Sequence, residues 1–400
     1  MPMDYDYIIA GGGCAGLSLA HFLNQSSLRN QKILILDPDP KTQNDKTWCF
    51  WADQPLPYQC AQETHWEEME VIATGKPLYQ RISPLRYVFV NSLEFYQEIK
   101  DQLEQNPQIH IAHERVKAIQ NTPTGGLVET ESGTYAAKWI FNSIMSHFER
   151  NQEHHFFLHQ HFGGWFVKTD TPVFDRQRIR LMDFQVDQEQ DTRFVYILPF
   201  GENEALVEYT VFSEQTWSRA AYDHELAQYL QQHFPDISYD ITHREYGDIP
   251  MTNHPFPAQR GSHVINLGSA AGLTKPTTGY TFLNIQRHAR QLVQALETQG
   301  TPVLPKQKKA RFSFYDDLLL YIIRNDGARV RHIFQSLFSQ NDFRTILRFL
   351  DERTSIWEEI PLLMRLPWGP FLNAIWQYKI KKNTGTAPVP SLHPCPSHAL

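Results

Sequence analysis

Residues 5–23 constrain the fold of this chain more than any other segment. An apolar run predicts a buried strand. A tight turn with Gly11, Gly13 and Gly16 follows it, and a helical pattern comes after the turn. In such a unit the first glycine permits the turn and the second lets backbone N–H groups approach a pyrophosphate. The third lets the helix pack on the strand. The segment therefore predicts an α/β domain that binds a dinucleotide.

A second apolar run supports this interpretation. Residues 32–36 predict the next strand, and Asp37 follows it about twenty residues after Gly16, where these domains bind a ribose hydroxyl. Cys14 and Ala15 complete the turn whose backbone faces the phosphates. A glycine loop in an unrelated α/β domain is the alternative.

Composition limits the class of protein. The 400 residues, 41% of them hydrophobic, suffice for two or three globular domains, and the net charge of −7 forms no basic stripe, which disfavours nucleic acid as a partner. Cys14, Cys49, Cys60 and Cys395 have no metal-ligand spacing, so we expect no metal and a reducing compartment. The acidic first residues do not resemble an export signal, and no run reaches the roughly 18 apolar residues of a spanning helix. We expect a cytoplasmic protein, either soluble or lying on a membrane surface.

The middle of the chain has a different pattern. Residues 164–168, 179–184, 194–200 and 205–212 read as strands joined by turn residues, which predicts an antiparallel sheet. The fold class is then α/β plus antiparallel β: a Rossmann-like domain, an inserted and mostly antiparallel substrate domain, and a C-terminal helical region. The expected divisions are 1–75, 92–158 and 245–300 for the cofactor domain, 76–91 and 159–244 for the substrate domain, 301–382 for the helical region and 383–400 for an irregular tail.

A second glycine turn favours a flavin over a nicotinamide. Gly268, Ser269 and Gly272 follow a late apolar strand, and a proline-containing loop then leads through Gly279 to a helix. This arrangement can bring helix N–H groups to the flavin end of a dinucleotide. A plain strand-to-helix turn is the alternative.

Several further segments resemble one family. The chain resembles the bacterial type of the flavoprotein lycopene β-cyclase family from Tyr5 to about Phe338. Besides the first glycine turn, the matching segments are Asp45 to Trp51, His161 to Trp165, Arg193 to Pro199, Val207 to Ser213, Gly247 to Met251 and Lys275 to Phe282.

The resemblance implies a fold, a cofactor and a reaction. The fold is similar to that of aromatic hydroxylases and geranylgeranyl reductases, and FAD is bound and kept reduced by NADPH. Both acyclic ends of lycopene are closed, through γ-carotene to β-carotene, without net oxidation. The resemblance places Lys46 among the cofactor-binding residues. Hydroxylases of this fold have an aspartate where this chain has Ser269, and the neutral residue fits the cyclases.

Closing a polyene end requires a proton donor, so the sequence must supply a neutral acid. A glutamate near its reference pKa of about 4.3 is ionised at neutral pH, and burial is needed to raise that pKa. Glu208 suits this role because it lies in mid-strand among apolar neighbours. A solvent-facing position, or an ion pair with Arg180 or Arg193, is the alternative. Asp248 is a second candidate, whose alternative role is to stabilise a turn.

Aromatic side chains are expected near the reacting end. Trp48, Trp51, Trp165 and Tyr280 are the candidates for substrate binding, because aromatic faces stabilise a carbocation as reduced flavin does. Ordinary core packing is the alternative for each.

The C-terminal region is a candidate for membrane contact. It combines Trp357, Trp368 and Trp376 with a basic end at residues 379–382, as interfacial segments do. We therefore expect a protein peripherally associated with the inner face of the membrane, from which it takes lycopene. A helical subdomain packed on the sheet is the alternative. For the whole protein, the rival functions are an FAD-dependent monooxygenase or reductase acting on an isoprenoid, and a carotenoid-binding flavoprotein without activity.

Overall fold

The computed structural model describes residues 3–145, 155–303 and 310–384. The strands are β1 (Tyr5–Ala10), β2 (Ile33–Leu36), β3 (Thr47–Ala52), β4 (His65–Trp66), β5 (Glu68–Ile72), β6 (Leu78–Arg81), β7 (Arg86–Asn91), β8 (Ile109–Ala112), β9 (Ala118–Asn121), β10 (Gly126–Glu129), β11 (Thr134–Asn142), β12 (Phe157–Thr169), β13 (Arg178–Asp183), β14 (Thr192–Pro199), β15 (Glu204–Ser213), β16 (Tyr239–Thr252), β17 (Gln259–Arg260) and β18 (Val264–Asn266). The helices are α1 (Cys14–Asn24), α2 (Cys60–Glu63), α3 (Ser92–Glu104), α4 (Arg219–His233), α5 (Phe282–Gln299), α6 (Ala310–Asp326), α7 (Val330–Gln340), α8 (Phe343–Leu350), α9 (Ile356–Met364) and α10 (Trp368–Thr384).

The first unit contains the glycine turn after β1 and is called the cofactor unit below. It is an eight-stranded sheet with helices packed on it. Its main path runs β17-β18-β11-β1-β2-β8, and β1 pairs in parallel with both β2 and β11. The last four residues of β1 and all of β2 are buried, as expected for parallel strands covered on both faces. Helices α1, α3 and α5 share a hydrophobic core with this sheet. The predicted α/β domain is confirmed.

The second unit is a seven-stranded sheet in the order β16-β12-β15-β14-β13-β5-β6. Its pairings are antiparallel except for the parallel pair of β13 with β5, so the predicted, mostly antiparallel sheet is confirmed. Pairing crosses three of the expected divisions, because β5 precedes residue 76, β12 begins before residue 159 and β16 spans residue 245.

A third sheet and the C-terminal helices complete the fold. The three-stranded sheet β3-β7-β4 contributes Trp51 and Tyr87 to the same core as Leu206 of the large sheet and Phe338 of α7. The predicted C-terminal helical region is confirmed as α6 to α10, and the tail expected after it lies mostly outside the described residues. None of the described helices combines the length and apolarity needed to cross a bilayer.

Candidate active site

The first glycine turn joins β1 to α1 with little room for side chains. Gly11 has φ +99°, a conformation that favours glycine, and a Cβ on Gly16 would lie 1.9 Å from the carbonyl oxygen of Gly11. A Cβ on Gly13, the N-cap of α1, would meet nothing within 4 Å. The helix N-terminus therefore faces open space, where its N–H groups can receive an anion.

Asp37 lies beside this turn at the end of β2. Its Oδ2 accepts a hydrogen bond from the Gly12 N–H at 2.6 Å, and its Oδ1 accepts one from the Asp39 N–H at 2.8 Å. The carboxylate is thus fixed at the position predicted for ribose binding. Lys46 is exposed on the loop before β3, and its backbone N–H donates to Ser92 Oγ.

The second glycine turn lies against the first. Gly268 has φ +55°, and a Cβ there would lie 3.0 Å from the Cβ of Ala15 at the start of α1. Ser269 follows in a short 3-10 helix that ends at Gly272, and its Oγ lies 3.1 Å from Thr274 Oγ1. The fold therefore brings together two turns that are far apart in the sequence.

The loop after this turn reaches the large sheet. Gly279 has φ +70°, and a Cβ there would lie 2.6 Å from Gln160 Oε1 on β12. Gln160 Oε1, Thr278 Oγ1 and Glu245 Oε1 are buried without a hydrogen-bond partner among the described residues. Buried polar atoms are normally paired, so the unpaired oxygens of Gln160 and Thr278 leave hydrogen-bonding positions open beside this loop.

Four residues form a row across the large sheet. Tyr196 on β14 pairs with Glu208 on β15, Glu208 pairs with Gly164 on β12, and Gly164 pairs with Glu245 on β16. Residues directly opposite one another in an antiparallel pair project from the same face. Where a Cβ of Gly164 would stand, Glu245 Cγ lies 3.1 Å away and Glu245 Oε1 3.3 Å away. The glycine therefore leaves the space that the Glu245 side chain occupies.

Both glutamates in this row are difficult to ionise. Burial, followed by the nearby charge of Glu245, raises the pKa of Glu208 well above its usual value. Burial also raises the pKa of Glu245. Thr210 Oγ1 donates to Glu208 Oε1 at 2.9 Å and Thr47 Oγ1 donates to Glu245 Oε2 at 2.7 Å, but neither carboxyl has a cation beside it in the described part of the chain. The site can therefore hold a protonated carboxyl at neutral pH.

The arginines considered as ion-pair partners for Glu208 are engaged elsewhere. Arg180 binds Glu70 and Asp183, and Arg193 binds Glu189 and Asp191. The predicted alternation of β15 also holds, because Leu206 and Phe212 belong to the core that includes Trp51 and Tyr87. Glu208 lies on the same face as these two residues and points toward the three-stranded sheet.

Aromatic rings border the carboxyl pair. Trp51 and Tyr280 meet edge to face with ring centroids 4.3 Å apart. The Tyr87 hydroxyl lies 3.3 Å from that of Tyr280 and accepts a hydrogen bond from the Tyr196 hydroxyl at 2.7 Å. Burial, with an added contribution from the charge of Glu208, raises the pKa of Tyr280. Trp51 and Tyr280 thus lie on the side of the large sheet that Glu208 faces, and their role in substrate binding stays a prediction.

Two other predicted aromatic residues lie outside this group. Trp48 and Trp51 project from opposite faces of β3. Trp48 packs on Phe95 and Phe282 in the core of the cofactor unit. Trp165 is on the opposite face of the large sheet, where its Nε1 donates to Asp223 of α4 at 2.7 Å. Both fit the alternative of core packing.

Asp248 is also separated from Glu208. It lies three residues after Glu245 on β16, and its side chain therefore projects from the opposite face of the strand. It is 47% exposed and lies 2.8 Å from His159 Nδ1. Glu245, which the sequence reasoning missed, lies across Gly164 from Glu208, on the face that Asp248 does not share.

The sequence contained one signal for this arrangement. Adjacent glycines at 163 and 164 lie in mid-strand, and a glycine in a strand often marks a close approach by another group. A Cβ on Gly163 would lie 2.5 Å from Tyr222 of α4, whereas Gly164 faces the carboxyl pair. Glu245 itself is in a polar run that resembles a solvent-exposed strand.

A second distinctive surface lies on the last two helices. Ile356, Ile360 and Met364 are spaced four residues apart on α9, and Trp368, Leu372 and Trp376 are spaced likewise on α10. This spacing places each set on one helix face. All six and Trp357, which is 79% exposed, are large exposed apolar side chains. The basic residues 379–382 belong to α10, but their side chains lie outside the described structure.

Comparison with known proteins gives one family. The family model described as "Lycopene cyclase protein" matches residues 6–375. A lycopene beta-cyclase of Pantoea ananas is 26% identical over 70% of this chain and 72% of its own length. A lycopene beta cyclase of Synechococcus elongatus is 24% identical over 90% of this chain and 92% of its own.

Solved structures agree on the fold. A geranylgeranyl bacteriochlorophyll reductase-like protein of Thermoplasma acidophilum superposes with TM-score 0.56 at 13% identity, covering 95% of this chain and 98% of its own. A p-nitrophenol 4-monooxygenase of Pseudomonas putida (TM-score 0.55, 13% identity) covers 91% of this chain and 98% of its own. A flavin-dependent brominase (TM-score 0.55, 12% identity) covers 94% and 99%. The predicted likeness to hydroxylases and geranylgeranyl reductases is confirmed.

Proposed function

The chain belongs to the lycopene cyclase family, and from this premise we propose how its residues close the ends of lycopene. The protein is an enzyme, and Glu208 is its proton donor. The observation that supports this role most directly is the position of Glu208: a half-buried carboxyl without a cation beside it among the described residues, facing the core that contains Trp51 and Tyr87.

The reaction needs a proton donor but no net oxidant. The Glu208 O–H bond breaks as a C–H bond forms at the terminal double bond of lycopene, which leaves a carbocation on the chain. A second double bond attacks this cation to form the ring C–C bond, and loss of a different proton creates the ring double bond. No electrons are gained or lost, so the enzyme is an isomerase. The faces of Trp51 and Tyr280 stabilise the cation.

The two glycine turns suit FAD. Gly11, Gly13, Cys14, Ala15 and Gly16 would hold the pyrophosphate at the N-terminus of α1, and Asp37 would hold the ribose. Gly268, Ser269, Gly272 and Gly279 would line the flavin end. The unpaired Gln160 and Thr278 oxygens support this placement, because they offer hydrogen bonds that no described residue takes. Reduced FAD, with NADPH as the reductant, would supply negative charge near the cation.

The exposed face of α9 and α10 is proposed as the membrane contact. Lycopene is a hydrocarbon that dissolves in lipid, so the enzyme must reach the bilayer, and this face presents large apolar side chains to solvent. Replacing both Trp357 and Trp376 with serine would remove about 3 kcal/mol of apolar burial in the bilayer. The partition coefficient of the protein onto liposomes should then fall on the order of a hundredfold. Tyr79→Ser, which alters an exposed ring on β6, is the control in a flotation assay.

Turnover in deuterated water tests the proposed function. Anaerobic enzyme with FAD, NADPH and lycopene in liposomes is expected to give β-carotene with one solvent deuterium per ring and only priming use of NADPH. Glu208→Gln should keep flavin but lose about two to four orders of magnitude in kcat. Glu204→Gln, an exposed change on the same strand, is the control. An oxygenated product, stoichiometric NADPH use, or pigment bound without turnover would each contradict the proposal.

A further inference from the structure

We propose that Glu208 and Glu245 share a single proton, and that Glu245 is a positioning residue that keeps Glu208 protonated between turnovers. The inference rests on the proposed role of Glu208 as proton donor and assigns a function to a residue outside the predicted site.

The sheet geometry brings the two side chains toward each other. Glu208 and Glu245 stand on either side of Gly164 in adjacent strands, so their backbones are roughly 10 Å apart. Glu245 leans over the glycine into this gap, where its Oε1 lies 3.3 Å from the position of the absent Cβ. With any other residue at 164, a side chain would stand between the two carboxyls.

One oxygen of Glu245 has no hydrogen-bond donor among the described residues and can therefore bind a proton. Glu245 Oε2 accepts from Thr47 Oγ1, whereas Glu245 Oε1 is buried and unpaired among the described residues. A half-buried carboxylate with one donor, and no cation beside it among the described residues, is costly. Two carboxyls in such surroundings do not both ionise, so the pair retains one proton where isolated carboxyls would have none.

Four other titratable groups facing the pair remain neutral. They are Cys49 on β3, Tyr87 on β7, Tyr196 on β14 and Tyr280 in the loop before α5. Burial raises the pKa of each of them, so none carries charge near neutral pH. The remaining titratable neighbour on this face of β16 is the exposed His243, two residues before Glu245. The charge beside the four neutral groups is therefore that of the two glutamates.

The shared proton has a consequence for the catalytic cycle. When Glu208 gives its proton to lycopene, both carboxyls are left charged on either side of Gly164, and their repulsion favours prompt recovery of one proton from water. The proton lost from the ring in the last step returns to solvent, so the cycle balances. Without the Glu245 charge, Glu208 would be a stronger acid and would be ionised over more of the neutral pH range.

The test is the pH dependence of kcat in Glu245→Gln. The neutral amide removes the repelling charge, so the pKa of Glu208 falls and the alkaline limb of the profile moves to lower pH. If the pKa that governs the alkaline limb falls by about one pH unit, kcat of the variant is about tenfold below wild type at any pH above both pKa values. At acidic pH it stays near the wild-type value. Glu204→Gln should leave the whole profile unchanged. A structural defect would instead lower kcat equally at every pH.

Glu245→Asp separates charge from shape. It keeps the carboxylate in a shorter side chain and is expected to retain the wild-type alkaline limb. An unshifted alkaline limb in Glu245→Gln, or the same shift in Glu245→Asp, would overturn the shared proton. If the wild-type enzyme does not cyclise lycopene, the proposed function fails instead, so the two failures are distinguishable.

Discussion

A buried ion cluster supports the loop that contains Tyr280, and Lys275→Met tests its importance. The Lys275 ammonium lies 2.7 Å from Asp316 Oδ1 on α6 and 3.0 Å from Glu352 Oε1. Only 9% of the Lys275 side chain and 5% of the Asp316 side chain are exposed. Removing one partner of a buried pair leaves an uncompensated charge, at a cost of about 3–5 kcal/mol.

This cost converts into a shift of the melting temperature. At about 2.1 cal/mol/K per residue, unfolding of 400 residues has an entropy of about 0.84 kcal/mol/K. Lys275→Met should therefore melt about 4–6 °C below the wild type. The measurement is thermal unfolding followed by circular dichroism at a fixed FAD concentration, because bound ligand itself raises the melting temperature.

Two further variants make the test specific. Lys168→Met breaks a pair with Glu204 in which both side chains are more than half exposed, so it should change stability by less than about 1 kcal/mol. Adding Asp316→Asn to Lys275→Met removes the uncompensated carboxylate and should recover part of the loss. A Lys275→Met protein that melts within about 1 °C of wild type would refute the argument.

Three other predictions follow from the site. Gly16→Ala should abolish retention of FAD, because its Cβ would lie 1.9 Å from a backbone oxygen; flavin absorbance of the purified protein is the measurement. Gly369→Ala is the control and should retain FAD, because its Cβ would meet nothing within 4 Å. Asp248→Asn should keep near wild-type kcat in steady-state assays, because this exposed side chain projects away from Glu208. In melting experiments, the melting temperature of Glu208→Gln relative to that of the wild type should increase as the pH rises. The raised pKa of Glu208 stabilises the folded state fully below the unfolded-state pKa, and this contribution is lost as pH rises through the folded-state value.

The sequence predicted the fold well because its signals are local. The glycine turn after β1, the short apolar strands and the alternation of β15 each follow from a few neighbouring residues. The alternation correctly placed Leu206, Glu208 and Phe212 on one face of the sheet. The resemblance supplied the family, which the comparisons confirm.

The composition of the site was less predictable because it depends on register between distant strands. Glu245 and Asp248 are three residues apart, and only their pairing with β12 decides which of them faces Glu208. Trp48 and Trp51 present the same problem on β3, since one faces the cofactor core and the other faces the site. A single sequence does not contain this information, because either face of each strand could have been turned toward the acid.

The adjacent glycines of β12 make the large sheet thinnest beside Glu208. At Gly163 and Gly164 the sheet is only backbone thick, with Tyr222 of α4 close on one face and Glu245 close on the other. A methyl group at 163 would press on Tyr222 of α4, whereas one at 164 would press on the side chains of Leu206 and Glu245. A substitution at 163 should therefore disturb the packing of α4, and one at 164 should disturb the surroundings of Glu245.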